Sequence, residues 1–282
     1  MAEMLVGTSG WSYPRGEGTW KEHFYPPGTR DELAYYSGIF NTVEVNSSFY
    51  RPPEPATTAA WARETPAGFL FAVKLWQKFT HPRMYEEATG QPSAISAGDV
   101  DLFRSSLEPL IAQGKLGALL AQFPPGFVSN SHNRRTLRAV MQAFGDCRLA
   151  VELRHRSWSD HPGTAELLAG QKVAWVRIDE PKFDFSISAE TPLTSDLAYF
   201  RFHGRNAAAW WRGNAETRYQ YLYSTEEISG LAESIKAASR QSARTMVYFN
   251  NHWRAYAPRN AGQLIRQLGM PFNGIPSLGL IE

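Results

Sequence analysis

Glu152 and Arg154 stand two residues apart at the end of the apolar run Leu149-Ala150-Val151. On a β-strand that spacing places both side chains on one face. A buried strand that ends in an acid and a base carries a cost unless the charges are paired. A structural ion pair would account for these two residues alone, since perturbed pairs occur in structural and functional settings alike. The same spacing recurs, however, in Glu44/Asn46, Arg177/Asp179 and Arg201/His203, and along Tyr248, Asn250 and His252, while Lys74 and Gln122 close two more apolar runs. If these faces converge, Lys74, Arg154, Arg177 and Arg201 meet Glu44, Glu152 and Asp179. Carboxylates interleaved with cations suit general acid–base chemistry on a substrate whose anionic group the cations hold.

The elements that must position these residues alternate along the chain. Strands are predicted at Met4 to Thr8, Thr42 to Asn46, Phe69 to Lys74, Leu116 to Gln122, Leu149 to Glu152, Val173 to Asp179, Leu197 to His203 and Thr245 to Asn250. Helices fall between most of them. Thr29 with Glu32, and Ser224 with Glu227, have the capping-box spacing that opens a helix. Lys182 to Asp196 breaks the pattern, because Phe183, Phe185 and Ile187 alternate like an extra strand.

Eight strands alternating with helices, with no break in composition, predict a parallel sheet under helical cover. The count suits a TIM-like (β/α)8 barrel over 1–282 as one domain, with an irregular segment in place of the sixth helix. A doubly wound open sheet is the alternative, but Gly7-Thr8-Ser9-Gly10 is too short for a phosphate-binding loop. In a barrel the inward face at the carboxyl ends of the strands is where sites are built. The expected catalytic set is therefore Glu44, Glu152, Asp179 and His203. Asn46, Lys74, Gln122, Arg154, Arg177, Arg201 and Asn250 are expected to bind substrate, with Trp11, Tyr50 and Trp158 stacking at the mouth.

Gly7-Thr8-Ser9-Gly10-Trp11, Glu44-Val45-Asn46-Ser47-Ser48-Phe49-Tyr50, Phe71-Ala72-Val73-Lys74, Gln122-Phe123-Pro124-Pro125, Glu152-Leu153-Arg154-His155-Arg156-Ser157-Trp158, Arg201-Phe202-His203-Gly204 and Phe249-Asn250-Asn251-His252 occur in this order. Together they resemble the YecE-like family (domain of unknown function 72), over nearly the whole chain. The resemblance implies a TIM-barrel-like fold and implies no reaction.

The chemistry is narrowed by what surrounds these motifs. Ser9, Ser47 and Ser48 lack a nucleophile elbow. Glu44, Glu152, Asp179, His203 and His252 could ligate a divalent metal, but interleaved cations compete with a metal, so none is required. The expected substrate is a small anionic molecule: a phosphorylated or acidic sugar, or a nucleotide. Metal-assisted binding or cleavage of damaged nucleic acid is the first alternative, and a non-catalytic ligand-binding barrel the second. Twenty-nine Lys and Arg against 27 Asp and Glu give a net charge of +2, which favours neither nucleic acid nor an anionic membrane as partner. The single cysteine, Cys147, excludes an intrachain disulfide framework. No signal-like segment or long apolar run is present, so a cytoplasmic protein is expected.

Overall fold

The computed structural model describes residues 2–188, 190–213, 215–272 and 274–275. Its strands are β1 (Glu3–Ser9), β2 (Thr42–Val45), β3 (Leu70–Lys74), β4 (Leu116–Gln122), β5 (Leu149–Glu152), β6 (Ala174–Trp175), β7 (Arg177–Asp179), β8 (Leu197–Phe202) and β9 (Arg244–Phe249). They form one parallel sheet in the order β6-β5-β4-β3-β2-β1-β9-β8-β7. Its two ends are consecutive stretches of one strand interrupted at Val176. The first stretch pairs with β5 and the second with β8, so the chain itself completes a TIM-like ring. Among the described residues between β7 and β8 there is no helix. Instead this segment folds back on the end of β5, with Ile187 N–H donating to Arg154 O at 2.9 Å and Arg156 N–H to Phe185 O at 2.7 Å.

Cap chemistry sets the helix starts. The helix Thr225–Ser239 opens with a complete capping box from Ser224 and Glu227. The helix expected from Thr29 instead spans Glu32–Ser37 and is capped by Asp31, whose carboxylate accepts from Ala34 N–H. The Thr29 hydroxyl donates to Pro26 O in the preceding turn. Aspartate is as good an N-cap as threonine, and it stands nearer the apolar run that the helix must bury.

Residues paired across a parallel ladder share a face, so the register sorts inside from outside. Leu5 and Gly7 pair with Met246 and Tyr248, while Ala72 pairs with Ala118 and Ala150 with Ala174. Tyr199 and Arg201 pair with Met246 and Tyr248. Alanines on one side of the barrel thus leave room for the tyrosines and Met246 on the other, and the interior is filled rather than open. Tyr248 and Thr42 meet through their hydroxyls at 2.7 Å across β1, where Gly7 has no side chain to separate them.

Candidate functional site

The polar centre is organised by Arg201, buried at 2 % exposure on β8. Its Nη2 donates to Glu44 Oε1 at 2.8 Å, and its Nη1 donates to Glu152 Oε2. Glu44 lies on β2 and Glu152 on β5, neither a sheet neighbour of β8, so both contacts cross the barrel interior. Tyr199, two residues before Arg201, donates its hydroxyl to Glu44 Oε2 at 2.7 Å. Arg154 Nε donates to Glu152 Oε1 at 2.7 Å, and its Nη1 lies 3.3 Å from Glu180 Oε2. Burial pushes the Glu152 carboxyl up, but Arg201 and Arg154 outweigh it and hold the group well below the ordinary carboxylate range. Glu180 is raised by burial and by the like charge of Glu152, which Arg154, Lys182 and Arg201 do not offset.

His203 lies above this layer, fully buried. Its Nε2 is 3.2 Å from Arg154 Nη2 and its Nδ1 is 2.9 Å from the Asn250 side-chain amide. Glu152 Oε1 lies 3.7 Å from the same Nε2, but the nearer guanidinium can only donate, which favours the lone pair on Nε2 and the proton on Nδ1. Asn250 then meets Nδ1 with its oxygen, which a half-turn of its amide supplies. Burial and Arg154 keep the imidazole neutral, down to about 4.

Lys74, half-buried at the end of β3, donates to Gln122 Oε1 at 2.7 Å and lies 4.0 Å over the Phe49 ring. No carboxylate among the described residues lies within ion-pair distance of it. Burial, then the like charge of Arg201, pushes its amine down to about 7. Beside the centre, Tyr13 stacks on His252 at 4.5 Å, and Tyr219 lies 5.1 Å from His252 and 6.4 Å from His203. Ser9 Oγ, Arg201 Nε and His252 Nδ1 are buried polar atoms with no hydrogen-bond partner in the protein.

The structure thus brings together Glu44, Lys74, Gln122, Glu152, Arg154, Arg201, His203 and Asn250. Asn46 is half-buried just beyond Glu44. Arg177 and Asp179 were expected in the centre and lie outside it. Their ladder partners are Phe200 and Phe202, which alternate with the inward Tyr199 and Arg201 and so face the helices. Arg177 Nε donates to Thr191 O at 2.9 Å, and Asp179 accepts from Arg205 Nη2 at 2.7 Å and from the Tyr223 hydroxyl at 2.8 Å. Ile178, paired with Arg201, points inward, and Glu180 supplies the carboxylate expected of Asp179. Adjacent acids at a strand end leave the face ambiguous, and no helix among the described residues between β7 and β8 covers the outward charges. Tyr199 carried the same spacing of two and was legible from it.

The three expected rim aromatics have different surroundings, and Trp158 lies in the core rather than at the rim. Trp158 is fully buried, donating to Phe127 O at 2.6 Å and stacking on the Phe127 ring at 5.4 Å. Trp11 meets Trp61 of the helix Pro55–Glu64 edge-on at 5.4 Å. Tyr50 is 70 % exposed, against Phe49.

Among the described residues no group of three or more His, Cys, Asp or Glu side chains is placed to hold a metal ion. Both oxygens of Glu44 and of Glu152 are engaged by Arg201, Tyr199 and Arg154. Among the described residues no helix is long and apolar enough to cross a membrane.

The profile described as "Protein of unknown function DUF72" matches residues 5–279. The chain belongs to the DUF72 family. Within the reach of that family it is similar to the UPF0759 protein YunF of Bacillus subtilis (strain 168), 31% identical over 272 residues, covering 91% of this chain and 94% of the relative. A DUF72 family protein of Thermotoga maritima has a similar structure, with a TM-score of 0.83 and 36% identity over 95% of this chain and 99% of that one. A DUF72 protein of Enterococcus faecalis also reaches a TM-score of 0.83, at 29% identity over 95% and 96% of the two chains.

Proposed function

We propose that this DUF72 protein is an enzyme performing acid–base chemistry on a small anionic substrate, a phosphorylated or acidic sugar or a nucleotide, at the barrel mouth. The observation that carries the reading is a buried constellation at the carboxyl ends of the strands whose charges do not all neutralise one another in place. Glu44 and Glu152 are spent on Arg201 and Arg154, while Lys74 has no carboxylate of its own and Glu180 keeps a raised carboxyl.

The roles follow from these partners. Glu44 and Glu152 fix the two guanidiniums in place. Arg154, at the mouth, and the free Nε of Arg201 offer N–H donors to an incoming anion, with the unpartnered Ser9 hydroxyl beside Glu44 on the sheet. Lys74, pushed down to about 7, is the group that exchanges a proton near neutral pH, with Glu180, raised by burial, and the neutral His203 beside it. The paired Glu152 is held too acidic for that task. The rings of Tyr13, His252 and Tyr219 offer faces to a sugar or a base.

A divalent metal would have to displace the guanidiniums from Glu44 and Glu152, so the donor set favours acid–base work over metal-assisted phosphodiester cleavage. The experiment is a panel of sugar phosphates, sugar acids and nucleotides, read by thermal shift and by turnover. Phosphorylated or acidic sugars are expected to raise Tm above their neutral counterparts. Arg154→Leu is expected to weaken binding by about 1.5–3 kcal/mol, the range for a hydrogen bond to a charged group. Equal binding of neutral and phosphorylated sugars, or a divalent ion ligated by Glu152 and required for turnover, would overturn the reading.

A further inference from the structure

We infer that Lys74 is a nucleophile that forms an imine with an aldehyde or ketone substrate carrying an anionic group. The inference rests on the reading of the barrel mouth as an anion-handling centre and adds to it a covalent step and a substrate class.

A lysine brought into a barrel normally takes a carboxylate partner, because an unpaired ammonium is costly to bury. Here the two nearest acids of the centre are already occupied: Glu44 by Arg201 and Tyr199, Glu152 by Arg201 and Arg154. Lys74 Nζ instead donates to a neutral amide oxygen, Gln122 Oε1, at 2.7 Å. That bond orients the nitrogen equally well as an amine or as an ammonium, since both have an N–H to give. The Phe49 ring, with Nζ 4.0 Å from its centre, and the His81 ring packed edge-on behind it at 4.9 Å, keep water from one side.

The charged groups around Nζ are Arg154 and Arg201, which favour the neutral amine, and Glu152 and Glu44, which oppose them. Burial tips the balance, and the amine is pushed down to about 7. A lysine meant only to clamp an anion gains from keeping its full charge. One desolvated beside other cations gains nucleophilicity instead. Lys74 is half-buried at the carboxyl end of β3. Three other lysines differ: Lys115 is bound by main-chain oxygens, and Lys78 and Lys236 pair with Asp99 and Glu233.

The step balances without any further reactant. The Nζ lone pair bonds to the carbonyl carbon, and the carbonyl π pair moves to oxygen, which takes a proton. The carbinolamine oxygen takes a second proton and leaves as water. The two hydrogens of the amine replace those two protons through the acid–base groups of the mouth, and the imine nitrogen then takes up one proton from solvent. An amine and a carbonyl become an imine and one water. The protonated imine withdraws electrons from the adjacent carbon, so the reaction class is cleavage of a carbon–carbon or carbon–oxygen bond next to the carbonyl. An anionic group on the substrate would place that carbon through Arg154 and Arg201.

The test uses the whole protein at pH 7 with sodium cyanoborohydride and either pyruvate or glyceraldehyde 3-phosphate. Peptide mapping by mass spectrometry then locates the reduced adduct. Lys74 is expected to be modified at least about tenfold faster than Lys21, Lys172 or Lys182, because far more of it is free amine at that pH than of an ordinary lysine near 10.4. Inorganic phosphate is expected to slow its modification. Labelling of the unaltered protein with acetic anhydride across pH gives a second measure, with half-maximal reaction of Lys74 expected near 7. An adduct spread evenly over the lysines, or Lys74 labelling with a midpoint near 10, overturns the inference. If sugar phosphates raise Tm while Lys74 stays unmodified, the imine falls and the anion-handling centre stands. If no anionic probe shifts Tm, the reading of the mouth falls as well.

Discussion

Arg201 Nη2 lies 2.8 Å from Glu44 Oε1, although β8 and β2 are not neighbours in the sheet. The contact spans the barrel interior, and with Glu152 on the other nitrogen one guanidinium ties three strands together. Such a triad is costly to assemble, because three charges leave water. It costs more to break. Arg201→Met leaves the buried Glu44 carboxylate with no cation, only the Tyr199 hydroxyl, and Glu152 with Arg154 alone, and is expected to lower unfolding free energy by about 3–5 kcal/mol. Urea unfolding checks this, and a loss below about 1 kcal/mol would mean that water or a neighbour compensates the pair.

The pH dependence of stability follows from the same triad. Glu152 is depressed in the folded chain relative to the ordinary value of about 4.3. Its contribution is therefore fully present above that value and is lost as pH falls through the folded one. Glu152→Gln is expected to flatten the fall in stability below about pH 4.3 while lowering stability at pH 7, since the arginines lose a partner. An unchanged acid slope in the variant would place the linkage elsewhere.

Three histidines are held neutral, His203 fully buried and His81 and His252 half-buried: His81 is held down to about 3, and His203 and His252 to about 4, by desolvation in each case first. An unfolded histidine titrates near 6.5, so the unfolded chain takes up protons first as the solution is acidified. Their contribution is complete above about pH 6.5 and declines as pH falls towards the folded values. Nitrogen NMR of labelled histidine at pH 5.5 is expected to show His203 as a neutral ring with its proton on Nδ1. A fully protonated ring at that pH would refute the assignment.

Lys115 marks a purely structural use of a buried cation. Its Nζ donates to Ala62 O and Thr65 O at 2.7 Å, to Thr65 Oγ1 at 2.8 Å and to Pro66 O at 3.1 Å, at the carboxyl end of the helix Pro55–Glu64. The site suits a cation because helix-end carbonyls are otherwise unsatisfied and carry negative partial charge. Lys115→Met is expected to cost about 1–3 kcal/mol by orphaning those oxygens, measured by thermal or urea unfolding. Ligand binding at the opposite, carboxyl end of the barrel is expected to survive in the folded fraction.

Gly204 follows His203 and sits at φ +86°, and a Cβ there would come within 2.7 Å of Tyr221 Cβ. Its N–H is held by the Tyr223 hydroxyl at 2.9 Å, which in turn donates to Asp179. Gly204→Ala is expected to destabilise by more than about 1 kcal/mol, through backbone strain and the clash together. It should also shift the His203 NMR signals, because the turn that seats the ring must move. Unchanged stability and signals would show the turn to be soft.

The sequence alone determined the barrel and most of its centre. Alternating apolar strands and capped helices fix an eight-unit parallel sheet, since each strand must be buried on both faces. A spacing of two at the strand ends then placed Glu44, Glu152, Arg154, Arg201 and His203 on one side each, because side-chain alternation is a local property of the backbone. Register across the sheet is not local. Strand six changes partner at Val176, and pairing with β8 turned Arg177 and Asp179 outward and brought Ile178 and Glu180 inward. Only the folded chain decided that Trp158 is core rather than rim, and that Glu44 and Glu152 are both taken by Arg201. With those acids occupied, Lys74 is left with an amide oxygen in place of a carboxylate. Partnership between charges depends on distances across the barrel, and those are set by how the alanines and tyrosines of its interior pack.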